Sequence, residues 1–253
     1  MKLQYCSDLH LEFRENKKFM LANPLKRAGN ILVLAGDIVP FAIMKEHDDF
    51  FDWLSGSYDT VYWLPGNHEY YGADAAQRSG TLHEKIRSNV YLVNNIAIQQ
   101  GDTKLIFSTL WSRISPINEW EIERCLNDFH LIRYNGNKFS AAQFNQLHAD
   151  GLSFIQREVS QGNTGKQVVI SHHVPTFLHY PKAYKNSVLN EAFATELFEF
   201  IEDSPVDYWI YGHHHHRTPD FTIGRTSLLT NQLGYVKNRE HRNFNRGSVI
   251  EFA

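Results

Sequence analysis

The sequence predicts an α/β domain in which buried strands alternate with helices, and three observations lead to it. Nine strand-length apolar runs recur along the 253 residues, each bounded by turn residues. Three of them, ILVLAG at 31–36, VVIS at 168–171 and DYWIYG at 207–212, are apolar almost throughout and rich in β-branched and aromatic side chains. Strands covered on both faces by helical layers have that composition. Helix-like segments separate the runs, and that alternation gives a layered α/β domain.

Taken in order, the predicted strands lie at 3–6, 31–35, 61–64, 91–93, 104–108, 168–171, 208–211, 227–230 and 248–251. The predicted helices lie at about 44–54, 73–87, 140–160 and 190–202. The third is the best marked. Ser140 is a candidate N-cap, Phe144, Leu147, Gly151, Phe154 and Ile155 recur at helical spacing, and Gly162 marks the stop. From 218 to 253 short strands and turns follow without a helix, so this part is expected to contribute antiparallel strands. No repeat, low-complexity tract or Pro/Gly/Ser-rich linker divides the chain, and residues 1–253 read as one domain. Residues 112–136, with Ser112-Arg113-Ile114-Ser115-Pro116 and Trp120, read as a loop or small cap over one edge.

Composition narrows the function classes. A hydrophobic share of 42% with 13% aromatics supports a sizeable core, and 21% charged residues is ordinary for a globular protein. A net charge of −3 offers no electrostatic footprint for nucleic acid or anionic lipid; Arg239, His241, Arg242 and Arg246 form the single candidate basic track. Asp8 and His10 occur before any apolar stretch long enough for a signal peptide, and no run approaches the roughly 18 apolar residues of a membrane span. A cytoplasmic protein without membrane contact is expected. Two cysteines, Cys6 and Cys125, are too few for a disulfide framework and lack metal spacing; Cys6 reads as a buried strand residue and not a ligand. Fourteen histidines, by contrast, are many, and they cluster.

The clusters fall at the C-terminal ends of predicted strands. Strand 3–6 leads into Asp8 and His10, strand 31–35 into Gly36-Asp37, and strand 61–64 into Gly66-Asn67-His68-Glu69. Strand 168–171 leads into His172-His173, and strand 208–211 into Gly212-His213-His214-His215-His216. Ligands of open α/β sheets bind in the crevice outside the carboxyl ends of strands, so five strand ends deliver polar groups to one crevice. Asp8 and His10 are two apart, as are His213 and His215; at an extended strand end each pair points to one side and is expected to clasp one ion. Carboxylate, imidazole and amide without thiolate suit Mn, Fe, Zn, Co or Ni in a catalytic site and argue against structural zinc. Two ions about 3.5–4 Å apart need a bridging carboxylate, and Asp37 is the one left once Asp8 serves the first ion.

In order, Asp8-x-His10, Gly36-Asp37, Gly66-Asn67-His68-Glu69, His172-His173 and Gly212-His213-x-His215 resemble all five motifs of the calcineurin-like metallophosphoesterases. The resemblance runs from 8 to 215 and implies a four-layer α/β/β/α sandwich of mixed sheets, with the metal site at the C-terminal strand ends. It further implies one ion on Asp8, His10, Asp37 and His215 and a second on Asp37, Asn67, His172 and His213. His68 is then the non-ligand. The protein Ser/Thr phosphatases carry arginines after the second motif and before the third; here those stretches read Gly36-Asp37-Ile38-Val39-Pro40 and Leu64-Pro65-Gly66, which demotes that branch. SDLHLEF, LAGD, GNHEYY and Thr109-Leu110-Trp111 look instead like the small bacterial-type phosphoesterases.

The chemistry expected is metal-dependent hydrolysis of a small phosphate monoester or diester. Two divalent or trivalent ions, Mn, Fe or Zn first and Mg, Co or Ni as further options, lower the pKa of a bridging water and supply a hydroxide nucleophile. His68, beside Asn67, is assigned as the general acid that protonates the departing alkoxide. Two rivals are a nuclease, which wants a basic track, and a non-catalytic scaffold, in which lost ligands are expected. Tyr70, Tyr71, Arg113 and Trp120 are candidate pocket residues, none assigned a contact. His173, His214 and His216 adjoin ligands and are as readily bystanders as supports. His47, His83, His130, His148 and His241 read as surface or ordinarily hydrogen-bonded histidines. The turn-like segment 231–235 has no assigned role.

Overall fold

The computed structural model describes residues 1–184 and 186–252. The elements begin β1 (Lys2–Cys6), α1 (Arg14–Ala22), β2 (Ile31–Ala35), α2 (Asp48–Ser57), β3 (Thr60–Leu64), β4 (Leu82–Arg87), β5 (Val90–Asn94), β6 (Ile96–Gln100) and β7 (Thr103–Ser108). They continue α3 (Glu119–Cys125), α4 (Asp128–Leu131), β8 (Arg133–Tyr134), β9 (Asn137–Lys138), α5 (Ala141–Ser160), β10 (Lys166–Ser171), α6 (Phe198–Asp203), β11 (Tyr208–Tyr211), β12 (Phe221–Ile223), β13 (Thr226–Thr230) and β14 (Val249–Glu251).

Two mixed sheets result, ordered β14-β1-β2-β3-β5-β4 and β12-β13-β11-β10-β7-β6. The four inner strands of each are parallel, and the edges β14, β4, β12 and β6 are antiparallel. Alternation along the strands creates the layers. In β2, Ile31, Val33 and Ala35 enter a core shared with Leu105, Phe107, Val168 and Ile210 of the other sheet. Leu32 and Leu34 point the opposite way, against Met20 of α1 and Phe51 and Leu54 of α2. Beyond the second sheet, Val169 and Trp209 pack on Phe154, Ile155 and Val159 of α5 and Ile201 of α6. The order helix, sheet, sheet, helix is the expected four-layer sandwich.

Each of the nine apolar runs is a strand, and the 140–160 segment is α5, capped as its sequence indicates. The Ser140 amide donates to Gln143 Oε1 at 2.8 Å while the Gln143 amide donates to Ser140 Oγ at 3.4 Å, a reciprocal capping box. The other helix expectations are corrected. Segment 73–87 is a 3-10 turn at Ala75–Gln77 followed by β4, whose half-buried and exposed residues alternate; charges on an edge strand imitate a polar helix face. Segment 190–202 is split because Val174 N donates to Phe193 O at 3.2 Å and Thr195 N to Val174 O at 3.0 Å, pairing Ala194 with Val174 in a β-bridge ahead of α6. Segment 44–54 divides into a 3-10 helix, Phe41–His47, and α2. Helix α1 was not expected, since only Asn16 and Met20 are buried along it and no apolar periodicity shows.

Segment 218–253 supplies the antiparallel β12 and β14 as expected, with two 3-10 turns, Val236–Asn238 and Glu240–Asn243. Residues 112–136 form α3, α4 and β8, with Ile114, Ile122, Phe129 and Ile132 packed against Tyr70, Trp111 and Phe144. Among the described residues, no helix is long and apolar enough to cross a membrane.

Candidate metal centre

The loops that follow β1, β2, β3, β10 and β11 meet at one edge of the sandwich. Backbone bonds join them: Asp8 N donates to Gly36 O at 2.9 Å, His10 N to Asp37 O at 2.9 Å and Gly212 N to His172 O at 3.0 Å. Asp8, His10, Asp37, His213 and His215 adopt φ of 57°, 47°, 57°, 79° and 51°, the left-handed region that non-glycine residues enter where surroundings enforce it. The pairs Asp8/His10 and His213/His215 are therefore not extended, correcting the reason given for their convergence. Gly36, at φ 92°, and Gly66 permit close packing, because a Cβ on either would overlap the His172 ring.

The structure brings all seven proposed ligands together, in two groups that share Asp37. Asp8, His10, Asp37 and His215 form one; Asp37, His172 and His213 form the other, with Asn67 Oδ1 at 3.2 Å from His172 Nε2. His213 and His215 thus fall in different groups, and the expectation that this pair clasps a single ion is corrected: alternate left-handed residues turn the two rings apart.

The oxygen partners of the rings tell what the groups are built for. His10 Nδ1 donates to Glu12 Oε1 at 3.1 Å, His215 Nδ1 to Glu240 Oε2 at 3.0 Å and His172 Nδ1 to the Ala35 carbonyl at 2.9 Å. Oxygen acceptors at Nδ1 leave each Nε2 of a neutral ring with a lone pair. Those lone pairs face other acceptors. His10 Nε2 lies 2.8 Å from His215 Nε2, and His172 Nε2 lies 3.3 Å from Asp37 Oδ2 and 3.1 Å from His213 Nδ1. His213 thus turns Nδ1 into the group, and its buried Nε2, the other ring nitrogen, has no partner. A cation satisfies such converging lone pairs at once, so the donor set fits the metals that the motifs imply.

Titration behaviour agrees for two of the histidines. Burial lowers His213, with His173 and His172 adding to it, and burial lowers His10, with His68 adding; both are held neutral as ligands must be. His172 differs: burial opposes its charge, yet Asp37 overrides it and lifts the ring to about 10, so without an ion Nε2 carries a proton toward the carboxylate, and a metal at this position would displace that proton. Burial likewise opposes Asp37 ionisation, but His172 and His68 hold its carboxyl well below the usual range. His68 is carried up to about 9 against burial, by Asp37 and by the bond from its Nδ1 to Glu12 Oε1 at 2.9 Å.

Several supporting residues escaped the sequence reading. Glu12 Oε1 receives both His10 and His68; its place two residues after His10 was the available signal. Glu69 is fully buried and accepts from Asp37 N at 2.9 Å, Ile38 N at 2.7 Å, Gly66 N at 2.6 Å and Trp63 Nε1 at 2.9 Å, tying the second and third motif loops together. Asp128 accepts from Asn67 Nδ2 at 2.8 Å and so turns Asn67 Oδ1 toward His172. Segment 231–235 backs the first motif: Leu233 N donates to Ser7 O and Gly234 N to Asp8 O, both at 3.1 Å. Its Tyr235 hydroxyl lies 3.5 Å from His68 Nε2.

A cleft of about 380 Å³ opens over Asp37, Asn67, His68 and His213, a size that admits a small organic ligand. Tyr71 lines it, whereas Tyr70 is buried in the core and Arg113 and Trp120 are exposed away from its walls. His173 is buried with its ring 4.2 Å from that of His213, His214 is buried against Gln232, and His216 is exposed. His148 Nδ1 donates to Leu110 O, His130 Nε2 lies 3.0 Å from Arg124 O, and His83 is exposed. His47 departs from expectation: it is buried and its Nδ1 has no partner. His241 packs on Phe19 and Arg246 donates to Pro24 O, while Arg239 and Arg242 are exposed. Cys6 is a buried strand residue as expected, and Cys125 is exposed.

A family model described as calcineurin-like phosphoesterase matches residues 1–217. Over 275 residues the chain is 32% identical to uncharacterized protein L509 of Acanthamoeba polyphaga mimivirus, an alignment covering 98% of this chain and 96% of that protein. Among solved structures, the phosphopantetheinyl hydrolase of Mycobacterium tuberculosis superposes with a TM-score of 0.71 at 17% identity, covering 95% of this chain and 92% of that one. That likeness is one of fold.

Proposed function

Because the chain belongs to the calcineurin-like phosphoesterase family, we propose that it hydrolyses a small phosphate ester at two metal ions. One ion is held by Asp8, His10, Asp37 and His215 and the other by Asp37, Asn67, His172 and His213. The observation that carries this reading is the set of imidazole nitrogens, Nε2 of His10, His172 and His215 and Nδ1 of His213, turned on one another and on the two aspartates. When bound, the ions supply a water-derived nucleophile at neutral pH and neutralise the phosphate oxygens.

The chain's own residues do the rest. Glu12 and Glu240 fix the tautomer and direction of His10 and His215, and Ala35 O does the same for His172. His68 keeps a proton at neutral pH, with its Nδ1 anchored on Glu12. The proton it delivers to the leaving oxygen therefore departs from Nε2, beside Tyr235. Monoester and diester both suit this core. Two cysteines outside any disulfide support a reducing compartment, and we take the enzyme as cytoplasmic, a single domain whose segment 112–136 caps the cleft.

The direct test is hydrolysis of p-nitrophenyl phosphate and bis(p-nitrophenyl) phosphate by protein supplied in turn with Mn, Fe, Zn and Mg. Release of nitrophenol with at least one ion, abolished by a chelator, is expected. Inertness toward both esters under every ion overturns the reading.

A further inference from the structure

Asp128, at the start of α4, is fully buried, and its two oxygens are treated differently. Oδ1 accepts from Asn67 Nδ2 at 2.8 Å and from the Tyr71 hydroxyl at 2.7 Å. Oδ2 is buried without a partner. Leaving a buried acceptor unsatisfied costs on the order of 1–3 kcal/mol, more when it is charged. Such a cost is tolerated where a ligand supplies the missing donor. Asp128 lines the cleft together with Asn67, His68, Tyr71 and His213.

Its position is fixed relative to the reacting centre. Asn67, which it holds, presents Oδ1 at 3.2 Å from His172 Nε2. Tyr71, which it also holds, lies against His68 with ring centroids 4.1 Å apart. The carboxyl group that carries the free oxygen is thus bonded, through Oδ1, both to a proposed metal ligand and to the ring packed on the proposed acid, at the wall of the cleft. Glu12 Oε2 is likewise unpartnered, but Glu12 is not among the cleft residues and serves as a positioning residue.

We propose that Asp128 Oδ2 is a substrate-recognition group, receiving a hydroxyl or ammonium donor carried next to the ester oxygen in the organic part of the substrate. The proposal rests on the phosphoesterase reading of the same site. It names the substrate class as phosphate esters of hydroxy or amino alcohols, and it disfavours esters that place a carboxylate or second phosphate at that point.

The test is calorimetric binding of three hydrolysis-resistant phosphonates, with CH₂ in place of the ester oxygen, to the metal-supplied protein: 3-hydroxypropylphosphonate (the hydroxyethyl arm), 3-aminopropylphosphonate (the aminoethyl arm) and butylphosphonate (the propyl arm), the last with a methyl group in place of the donor. The two donor-bearing arms are expected to bind about tenfold or more tightly than the propyl arm, since a site built for a hydrogen bond rejects the analogue lacking it. In Asp128→Asn the amide oxygen can still receive Asn67 and Tyr71 while an NH₂ replaces Oδ2; an ammonium cannot accept from that NH₂, so the gap between the aminoethyl and propyl arms should shrink to within about twofold, whereas the hydroxyethyl arm can turn to accept and keep part of its advantage. Equal affinity of the wild type for all three arms, or a gap between the aminoethyl and propyl arms that persists in Asp128→Asn, overturns the proposal. Nitrophenyl ester hydrolysis separates the two claims. A protein that cleaves esters without discriminating the arms loses only the Asp128 inference; one that discriminates the arms but cleaves nothing loses the phosphoesterase reading.

Discussion

Replacing Asp37 with alanine is expected to slow phosphate-ester hydrolysis by about 10³-fold or more, equivalent to roughly 4 kcal/mol of transition-state stabilisation, and to lower bound metal together with activity. The size follows from its position between the two groups. Oδ1 accepts from His68 N at 2.9 Å, while Oδ2 lies 3.3 Å from His172 Nε2 and 3.7 Å from His10 Nε2. No other carboxylate belongs to both groups among the described residues. Alanine removes the shared ligand and also the charge that balances buried imidazoles. Asp37→Asn keeps the shape and removes the charge, so it should fold and still hold metal poorly. Initial rates and elemental analysis on both variants check this; hydrolysis within tenfold of wild type in Asp37→Ala would sink the bridging role.

Changing His68 to glutamine is expected to slow alkyl phosphate hydrolysis by about 10²–10⁴-fold, the range for loss of a general acid. Nitrophenyl esters should suffer much less, because nitrophenolate departs without needing a proton. His68 sits next to Asn67 but its Nδ1 is bound to Glu12 and its Nε2 faces Tyr235, so metal content should match wild type. The readout is the ratio of kcat losses on an alkyl and a nitrophenyl ester measured side by side. Equal losses on both, or a loss of metal, would assign His68 to holding the site rather than to proton transfer.

The core of the site was legible because each proposed ligand lies within four residues of a strand end whose apolar run is unmistakable, as Asp37 does after Ile31–Ala35 and His213 after Tyr208–Tyr211. Local order suffices to read such positions. The supporting residues were not legible for the opposite reason: their partners are distant in the chain. Glu240 reaches His215 across 25 residues and Asp128 reaches Asn67 across 61, and no local pattern encodes either contact. Glu12 is intermediate, since its spacing from His10 was visible while its bond to His68 depends on how two loops meet.

The fold divides along the same line. Strands buried on both faces are written in composition alone, whereas β4 is an edge strand whose His83, Glu84 and Lys85 carry no such signature, and its identity as a strand comes from pairing with β5. The left-handed backbone at Asp8, His10, His213 and His215 is likewise a product of the loop contacts around it. The residues converge as their spacing suggested, by a geometry that spacing does not specify.

On the proposed function, the converging imidazoles and carboxylates exist to hold two ions. Elemental analysis of the purified chain after Mn or Zn supplementation and removal of free ion tests it most directly. Close to two ions per chain are expected, falling with activity on chelation. Less than about one bound ion per chain, with the fold intact, would contradict it.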